Sequence, residues 1–211
     1  MRLDFKDDLI LKFCRGKKVL HVGATDYPFH AEKARNKELL HQKLNQIAKQ
    51  VLGLDSEEKS INELRQYGIY NIRKTDIMKP LKIRPGHYDV IVAGDIIEHL
   101  ENLGIALLNL KKVMSPETIL IVTTPNCYCY FNIANIFRKK ENVHKDHFFW
   151  PSRQTMKQLF EHLGFRIRFF RYVNFGSYSD IKTIKGKLFY HLFLRNIGKI
   201  RSTLFFVISI K

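Results

Sequence analysis

Apolar positions recur along this chain in two rhythms. Short unbroken runs predict buried strands: Lys17–Val22 (KKVLHV), Val51–Asp55 (VLGLD), Val90–Ala93 led in by His87-Tyr88-Asp89, Thr118–Thr124 (TILIVTT) and Leu204–Ile210 (LFFVISI). Tyr70–Arg73 and Phe165–Val173 read as two more. Between them the apolar spacing lengthens to that of helices. Asn36–Val51 carries Leu39, Leu40, Leu44, Ile47 and Val51 on one side, and Ser56–Tyr67 carries Ile61 and Leu64 after Glu57 and Glu58 in its first turn, closed by Gly68. Gly104–Met114 and Ser152–Leu163, the latter ended by Gly164, complete the helical set. Strands alternating with helices predict an α/β fold with a mostly parallel sheet covered on both faces.

Composition narrows this without redirecting it. The chain has 211 residues, 45% hydrophobic and 27% charged, which suits one domain over 1–211 and excludes disorder or coiled coil as a description of the whole. Its core spans about 17–173, followed by a basic aromatic segment over 174–203 and the final strand over 204–210. Lys and Arg exceed Asp and Glu by 16, and residues 151–211 alone hold 12 basic side chains against 2 acidic. That excess favours an anionic partner such as nucleic acid, a phosphorylated molecule or a membrane surface, against the plain alternative of a solvated face. Cys14, Cys127 and Cys129 form neither a disulfide framework nor a CxxC pair. The first residues lack the apolar centre of a signal peptide and no run is long enough to span a bilayer, so a cytoplasmic protein is expected.

In an open α/β sheet, ligands meet the carboxyl ends of the strands, so candidate chemistry is sought there. The first strand ends in Val22-Gly23-Ala24-Thr25-Asp26, where a glycine permits close backbone approach to a ligand. The second ends in Asp55-Ser56. Asp55 suits two vicinal ribose hydroxyls and suits equally the N-cap of the next helix. After the third come Asp76 and Ile77, an acceptor for an adenine amine and an apolar side chain for its ring, or else a turn aspartate. The fourth ends in Gly94-Asp95-Ile96-Ile97-Glu98-His99. Glu98 and His99 are adjacent, so on a helix they diverge by about 100° and cannot serve one ligand together. His144 and His147 flank Asp146 ahead of Phe148-Phe149-Trp150, and with no third ligand spaced to join them no metal site is expected. His41 and His162, within helices, read as surface or packing residues.

The stretches KVLHVGATD, VLGLD, KTDIMKP, YDVIVAGDIIEHLENLG, ILIVTTPN and HKDHFFWPSRQTMKQLFEHLGF, in this order over residues 17–173, resemble the class I S-adenosylmethionine-dependent methyltransferases. The likeness is nearest to the branch of ubiquinone-type O-methyltransferases and small methyltransferases of glycan gene clusters. It implies a Rossmann-like seven-stranded sheet whose last strand is antiparallel, and S-adenosylmethionine as cofactor. It implies that Val22, Gly23 and Ala24 meet the methionine part, Asp55 and Ser56 the ribose, Asp76 and Ile77 the adenine, and Gly94 with Asp95 the wall near the sulfonium. Two departures stand out: His21 where the family has an acid, and Ala24, Thr25 and Asp26 where it has further glycines. Asp26 is then a candidate to face the cofactor's ammonium from the polar turn Thr25–His30; a loop that merely covers the helix is equally consistent.

Methyl transfer needs a nucleophile in line with the methyl carbon, and a hydroxyl nucleophile must also lose a proton, for which His147, His144, His99 and Asp95 are the candidates. The resemblance favours a small-molecule or glycan-like acceptor methylated on oxygen. An RNA methyltransferase is the alternative, because Phe169, Phe170 and Tyr172 interleave with Arg171; no NPPY-like tetrapeptide follows the fourth strand, which argues against base-amine methylation. A methyltransferase-fold binding protein without activity is the third reading, motivated by His21 and the missing glycines. Ser177–Ser202 sets Lys182, Lys185, Lys187, Arg195, Lys199 and Arg201 around Leu188, Phe189, Leu192, Phe193 and Ile197, with His191 interrupting. That reads either as a core helix with solvated lysines or as an amphipathic surface for an anionic membrane or a phosphorylated carrier.

Overall fold

The computed structural model describes residues 4–141, 143–181, 183–190, 192 and 198–211. Seven strands form one sheet in the order β3-β2-β1-β4-β5-β7-β6: β1 Lys18–Val22, β2 Gln50–Asp55, β3 Ile72–Lys74, β4 Val90–Gly94, β5 Ile119–Pro125, β6 Phe165–Val173 and β7 Thr203–Ile210. The first five pair in parallel, and β7 runs antiparallel to both β5 and β6. This is the Rossmann-like sheet with an antiparallel last strand that the resemblance implies.

Side chains alternate across the sheet with period two, and this splits the core in two. Leu20, Val22, Ile91, Ala93, Leu120, Val122, Leu204, Phe206 and Ile208 face one layer, covered by α5 (Leu103–Lys112) and α7 (Arg153–His162) through Leu107, Leu110, Met156 and Phe160. Val19, Val90, Val92, Ile121, Phe205 and Val207 face the other, covered by α1 (Lys6–Cys14) and α3 (Leu40–Ile47) through Leu9, Ile10 and Leu44. Each fully buried Leu, Ile or Phe contributes about 1.5–3 kcal/mol. A smaller cluster joins Ala24, Ala34, Leu39, Ile61, Leu64 and Ile72 under α2 (His30–Arg35) and α4 (Glu58–Leu64).

The helix expected over Asn36–Val51 is broken. Lys37 takes a left-handed φ of 57° after Asn36 caps α2, α3 starts only at Leu40, and Gln50 and Val51 already belong to β2. The supposed polar turn after Thr25 therefore leads into a helix of its own. Two other helices carry no expectation: α1, which fills one sheet face, and α6 (Tyr130–Phe137), which buries none of its residues. The helix at 152–163 appears as α7, with Ser152 and Thr155 forming a reciprocal N-terminal cap.

The segment after β6 holds α8 (Ile184–Phe189), and the described members of its apolar set, Leu188, Phe189 and Leu192, are exposed rather than packed as a core helix would have them. Tyr190 turns inward, against Phe5 and Tyr178. Lys182, His191, Phe193, Arg195 and Ile197 lie outside the described residues. Among the described residues, no helix is long and apolar enough to cross a membrane, and Cys14, Cys127 and Cys129 are free thiols.

Candidate functional site

The strand order reverses between β1 and β4, so their carboxyl ends open a crevice lined by Val22-Gly23 on one side and Gly94-Asp95 on the other. Gly23 has φ 70°, and a Cβ there would stand 3.2 Å from the Ile96 side chain, so a side chain would strain the backbone and press Ile96 aside. Val22 and Ala24 are buried. Asp55, at the end of β2, is not the cap of α4; Glu57 is, accepting from Lys59 N–H. Instead the Asp55 carboxylate reaches across to the first turn, accepting from Thr25 N–H at 2.9 Å and Thr25 Oγ1–H at 2.8 Å, and from Glu57 N–H at 3.0 Å. Those three donors leave Oδ1 an acceptor position of the roughly four a carboxylate offers. Ser56 is exposed beside it.

Asp76 closes its own turn, accepting from Met78 N–H at 2.9 Å, while a half-exposed Oδ2 lies 3.8 Å from Lys79 Nζ. Ile77 is buried in the core below α5, where its carbonyl accepts from Asn109 Nδ2. The sequence pairs these two as neighbours on one adenine; the structure turns one outward and the other inward.

Asp26 does not face the crevice alone: it holds a left-handed φ of 61° and pairs with Lys33 of α2. The buried charge at the crevice is Lys6, from α1. Its ammonium donates to Asp95 Oδ2 at 2.5 Å, stands 3.7 Å from Asp7 and lies 4.3 Å above the Phe175 ring. Burial works against that charge, but the carboxylates of Asp95 and Asp7 outweigh it and raise the pKa above the usual lysine range. Asp95 itself is pinned by Thr123, whose hydroxyl donates to Oδ1 at 2.7 Å while the Asp95 N–H donates to the Thr123 carbonyl at 3.0 Å. Thr25, Lys6 and Thr123 carry no local signal in the sequence, because each acts on a partner many residues away.

His21 is buried on the α3 side of β1. Asn71 Nδ2 donates to Val51 O and Asn45 Oδ1, both at 2.9 Å, which turns Asn71 Oδ1 toward His41 Nε2 at 3.0 Å. His41 then presents a bare Nδ1, which accepts from His21 Nδ1–H at 3.2 Å. Burial, then the neighbouring His41 ring and the Lys6 charge, push the His21 pKa well below the ordinary histidine value, and burial lowers His41 too. Where the family carries an acid this chain carries a neutral histidine pair.

Beyond β4, Ile97–His99 forms one turn of tight helix. As the spacing requires, its two polar side chains part: Glu98 is buried, pushed up to about 8 by burial and by Asp95, and His99 turns outward. The loop before α7 folds onto this turn, with Phe148 N–H donating to the Glu98 carbonyl at 2.8 Å and His99 Nδ1 meeting the Asp146 carbonyl at 3.0 Å. It brings His144 and His147 to His99, with ring centroids 4.6 Å apart for His99–His147 and 5.1 Å for His144–His147. Burial, then the His99 and His144 rings, lower the His147 pKa against the pull of Asp95. The sequence offers no third ligand to the histidine pair; the fold supplies one.

The crevice therefore fits S-adenosylmethionine: a left-handed glycine turn at the end of β1 and, at the end of β2, an acid with an acceptor position to spare. The sequence matches the methyltransferase-domain family over residues 8–168. No curated protein matches it. The structure resembles a S-adenosylmethionine-dependent methyltransferase from Aquifex aeolicus, with TM-score 0.62 and 17% identity over all of this chain and 93% of that one. A possible histamine N-methyltransferase from Thermotoga maritima gives TM-score 0.64 and 14% identity over 97% and 87%. The small RNA methyltransferase HEN1 gives 0.62 and 14% over 97% of this chain and 25% of its own. Sheet order, crevice and sequence match agree, and the chain belongs to the methyltransferase-domain family as a class I S-adenosylmethionine-dependent enzyme.

Proposed function

We propose that this enzyme methylates a hydroxyl oxygen of a small-molecule or glycan-like acceptor. The observation that carries the reading is the convergence of His99, His144 and His147 beside Asp95 at the mouth of the crevice, which supplies proton acceptors where the nucleophile must stand. S-adenosylmethionine, when bound, supplies an electrophilic methyl carbon on a sulfonium. The protein's own part is alignment. Gly23 with Val22 and Ala24 takes the methionine end, Asp55 and Ser56 the ribose, Asp76 the adenine side, and Asp95 with Gly94 the wall near the sulfonium. His147 takes the hydroxyl proton as the C–O bond forms and the C–S bond breaks.

Two measurements test this on the full chain. Asp55→Ala weakens binding of the cofactor and of its demethylated product at least tenfold, with circular dichroism confirming the fold; unchanged affinity would remove the ribose assignment. His147→Ala lowers turnover of a hydroxyl acceptor about 100-fold or more at unchanged cofactor affinity. A protein that is folded yet binds no cofactor with acceptors present would instead support a binding protein without activity.

RNA is the second reading, favoured by the edge strand β6, which exposes Arg166, Arg168 and Arg171 among Phe169, Phe170 and Tyr172. Solved relatives named for small RNA and for histamine show how widely this fold's acceptors range, so the test must be direct. RNA affinity falling steeply with salt would favour it, and no retention on RNA or heparin would eliminate it.

The surface supports a lipid-linked acceptor in place of a free one. In α6, Phe131, Ile136 and Phe137 are exposed, Phe137 at 84%, and Arg138, Lys139 and Lys140 follow directly. Apolar side chains flanked by cations suit peripheral contact with an anionic membrane. Wild-type protein should co-sediment with phosphatidylglycerol vesicles, and Ile136→Ser with Phe137→Ser should release it; no sedimentation of the wild type would withdraw the membrane.

A further inference from the structure

His99 comes from the turn after β4, while His144 and His147 come from the loop before α7, some 45 residues later. One ring nitrogen from each lies within 4.8 Å of the other two. The two segments are tied by backbone. Phe148 N–H donates to the Glu98 carbonyl at 2.8 Å, and His147 N–H donates to the His144 carbonyl at 3.0 Å. The approach of the rings thus follows from main-chain bonds.

The surroundings have the character of a ligand set. His99 Nδ1 lies 3.0 Å from the Asp146 carbonyl, which can only accept, so that nitrogen carries the proton and Nε2 is left as a lone-pair donor. A ligating histidine is ordinarily held this way, by a carbonyl or carboxylate on its other nitrogen. Asp146 also faces His144 Nδ1, with its N–H donating at 3.3 Å and its carboxylate standing 3.8 Å away. Three rings gathered this closely gain little from one another as structure: their contacts are edges and tilts on a half-open surface, not core packing.

We propose that His99, His144 and His147 form a three-histidine site for a late first-row divalent ion, zinc in the first instance. Three imidazoles are the donor set of a site that keeps a position open, and nitrogen donors select zinc, copper, nickel or cobalt over magnesium or calcium. Zinc–nitrogen bonds of about 2.0–2.1 Å in a tetrahedral arrangement bring the three nitrogens to about 3.3 Å from one another, so the rings close by at most about 1.5 Å on binding. On the acceptor assignment proposed above, the open position lies on the acceptor's side of the crevice. An acceptor hydroxyl bound there loses its proton to solvent at a lower pH than a free alcohol does, the metal taking the charge left on oxygen. In that case the histidines act on the nucleophile through the metal instead of taking its proton themselves.

Isothermal titration of the metal-stripped full chain with zinc tests the site without any need for methyl transfer, so its failure is separate from a failure of the acceptor assignment. One equivalent should bind. Each of His99→Ala, His144→Ala and His147→Ala should weaken it at least tenfold, and His144→Ala with His147→Ala together should abolish it, while His162→Ala on the exposed end of α7 leaves it unchanged. Cobalt substituted for zinc should give visible absorption that the double variant lacks. All variants should bind S-adenosylmethionine as the wild type does, which reports an intact fold. Absence of stoichiometric binding, an affinity that none of the three substitutions changes, or tighter binding of magnesium than of zinc would each overturn the proposal.

Discussion

His21 lies next to the cofactor turn and hydrogen-bonds another buried histidine, His41. Both rings have pKa values below the ordinary histidine value, chiefly from burial, so both are neutral in the folded protein at pH values where the unfolded chain is already protonated. Stability is then fully present above the unfolded value near 6.5 and is lost as pH falls from there toward the folded values. Each histidine contributes a slope of up to about 1.4 kcal/mol per pH unit. Urea unfolding from pH 7.5 to 5 should show this fall, and His21→Gln should make it shallower; an identical slope would mean the pair is not the cause. At this scale the sequence was legible wherever a residue's role depends on its place at a strand end. Gly23, Asp55 and Asp95 do stand at the carboxyl ends of β1, β2 and β4, where their places in the sequence put them. Lys6, Thr25 and the joining of His99 to His144 were not legible, because their partners are set by tertiary contact across 89, 30 and 45 positions.

Elements were legible where their packing is repetitive. β4 and β5 are buried on both faces and read as unbroken apolar runs, and β6 was bounded at Phe165–Val173 as observed. α1 and α6 carry no such signal, for opposite reasons. α1 mixes Lys6, Asp7 and Asp8 into its buried residues, and α6 is apolar without being buried. Gly53 shows how tightly β2 meets its neighbours: a Cβ there would lie 2.8 Å from the His41 ring and from Ile72 and 2.9 Å from Ala24. Gly53→Ala should therefore cost about 1–3 kcal/mol from overpacking and lower the melting temperature by several degrees in calorimetry. Ser152→Ala, which removes the cap of α7, should cost about 1 kcal/mol. A Gly53→Ala protein as stable as the wild type would show that β2 can shift to make room.

For the molecule as a whole, the reversal of strand order between β1 and β4 opens the crevice, and the alternation of strands and helices was enough to predict the mostly parallel sheet that carries it. The position of β7 was not open to such reading, since the family resemblance implied an antiparallel last strand and not its place between β5 and β6. That position has a consequence for how the protein comes into being. β7 pairs with β5 on one side and β6 on the other, and through Leu204–Ile208 it contributes to both core layers. During synthesis β5 is therefore left with a bare edge, and β6 with no strand to join, until residues 203–210 have emerged from the ribosome. A nascent chain halted at Ser202 should remain open to protease and prone to edge-to-edge association, whereas one extended past Lys211 by an unstructured tether should become resistant in a single step.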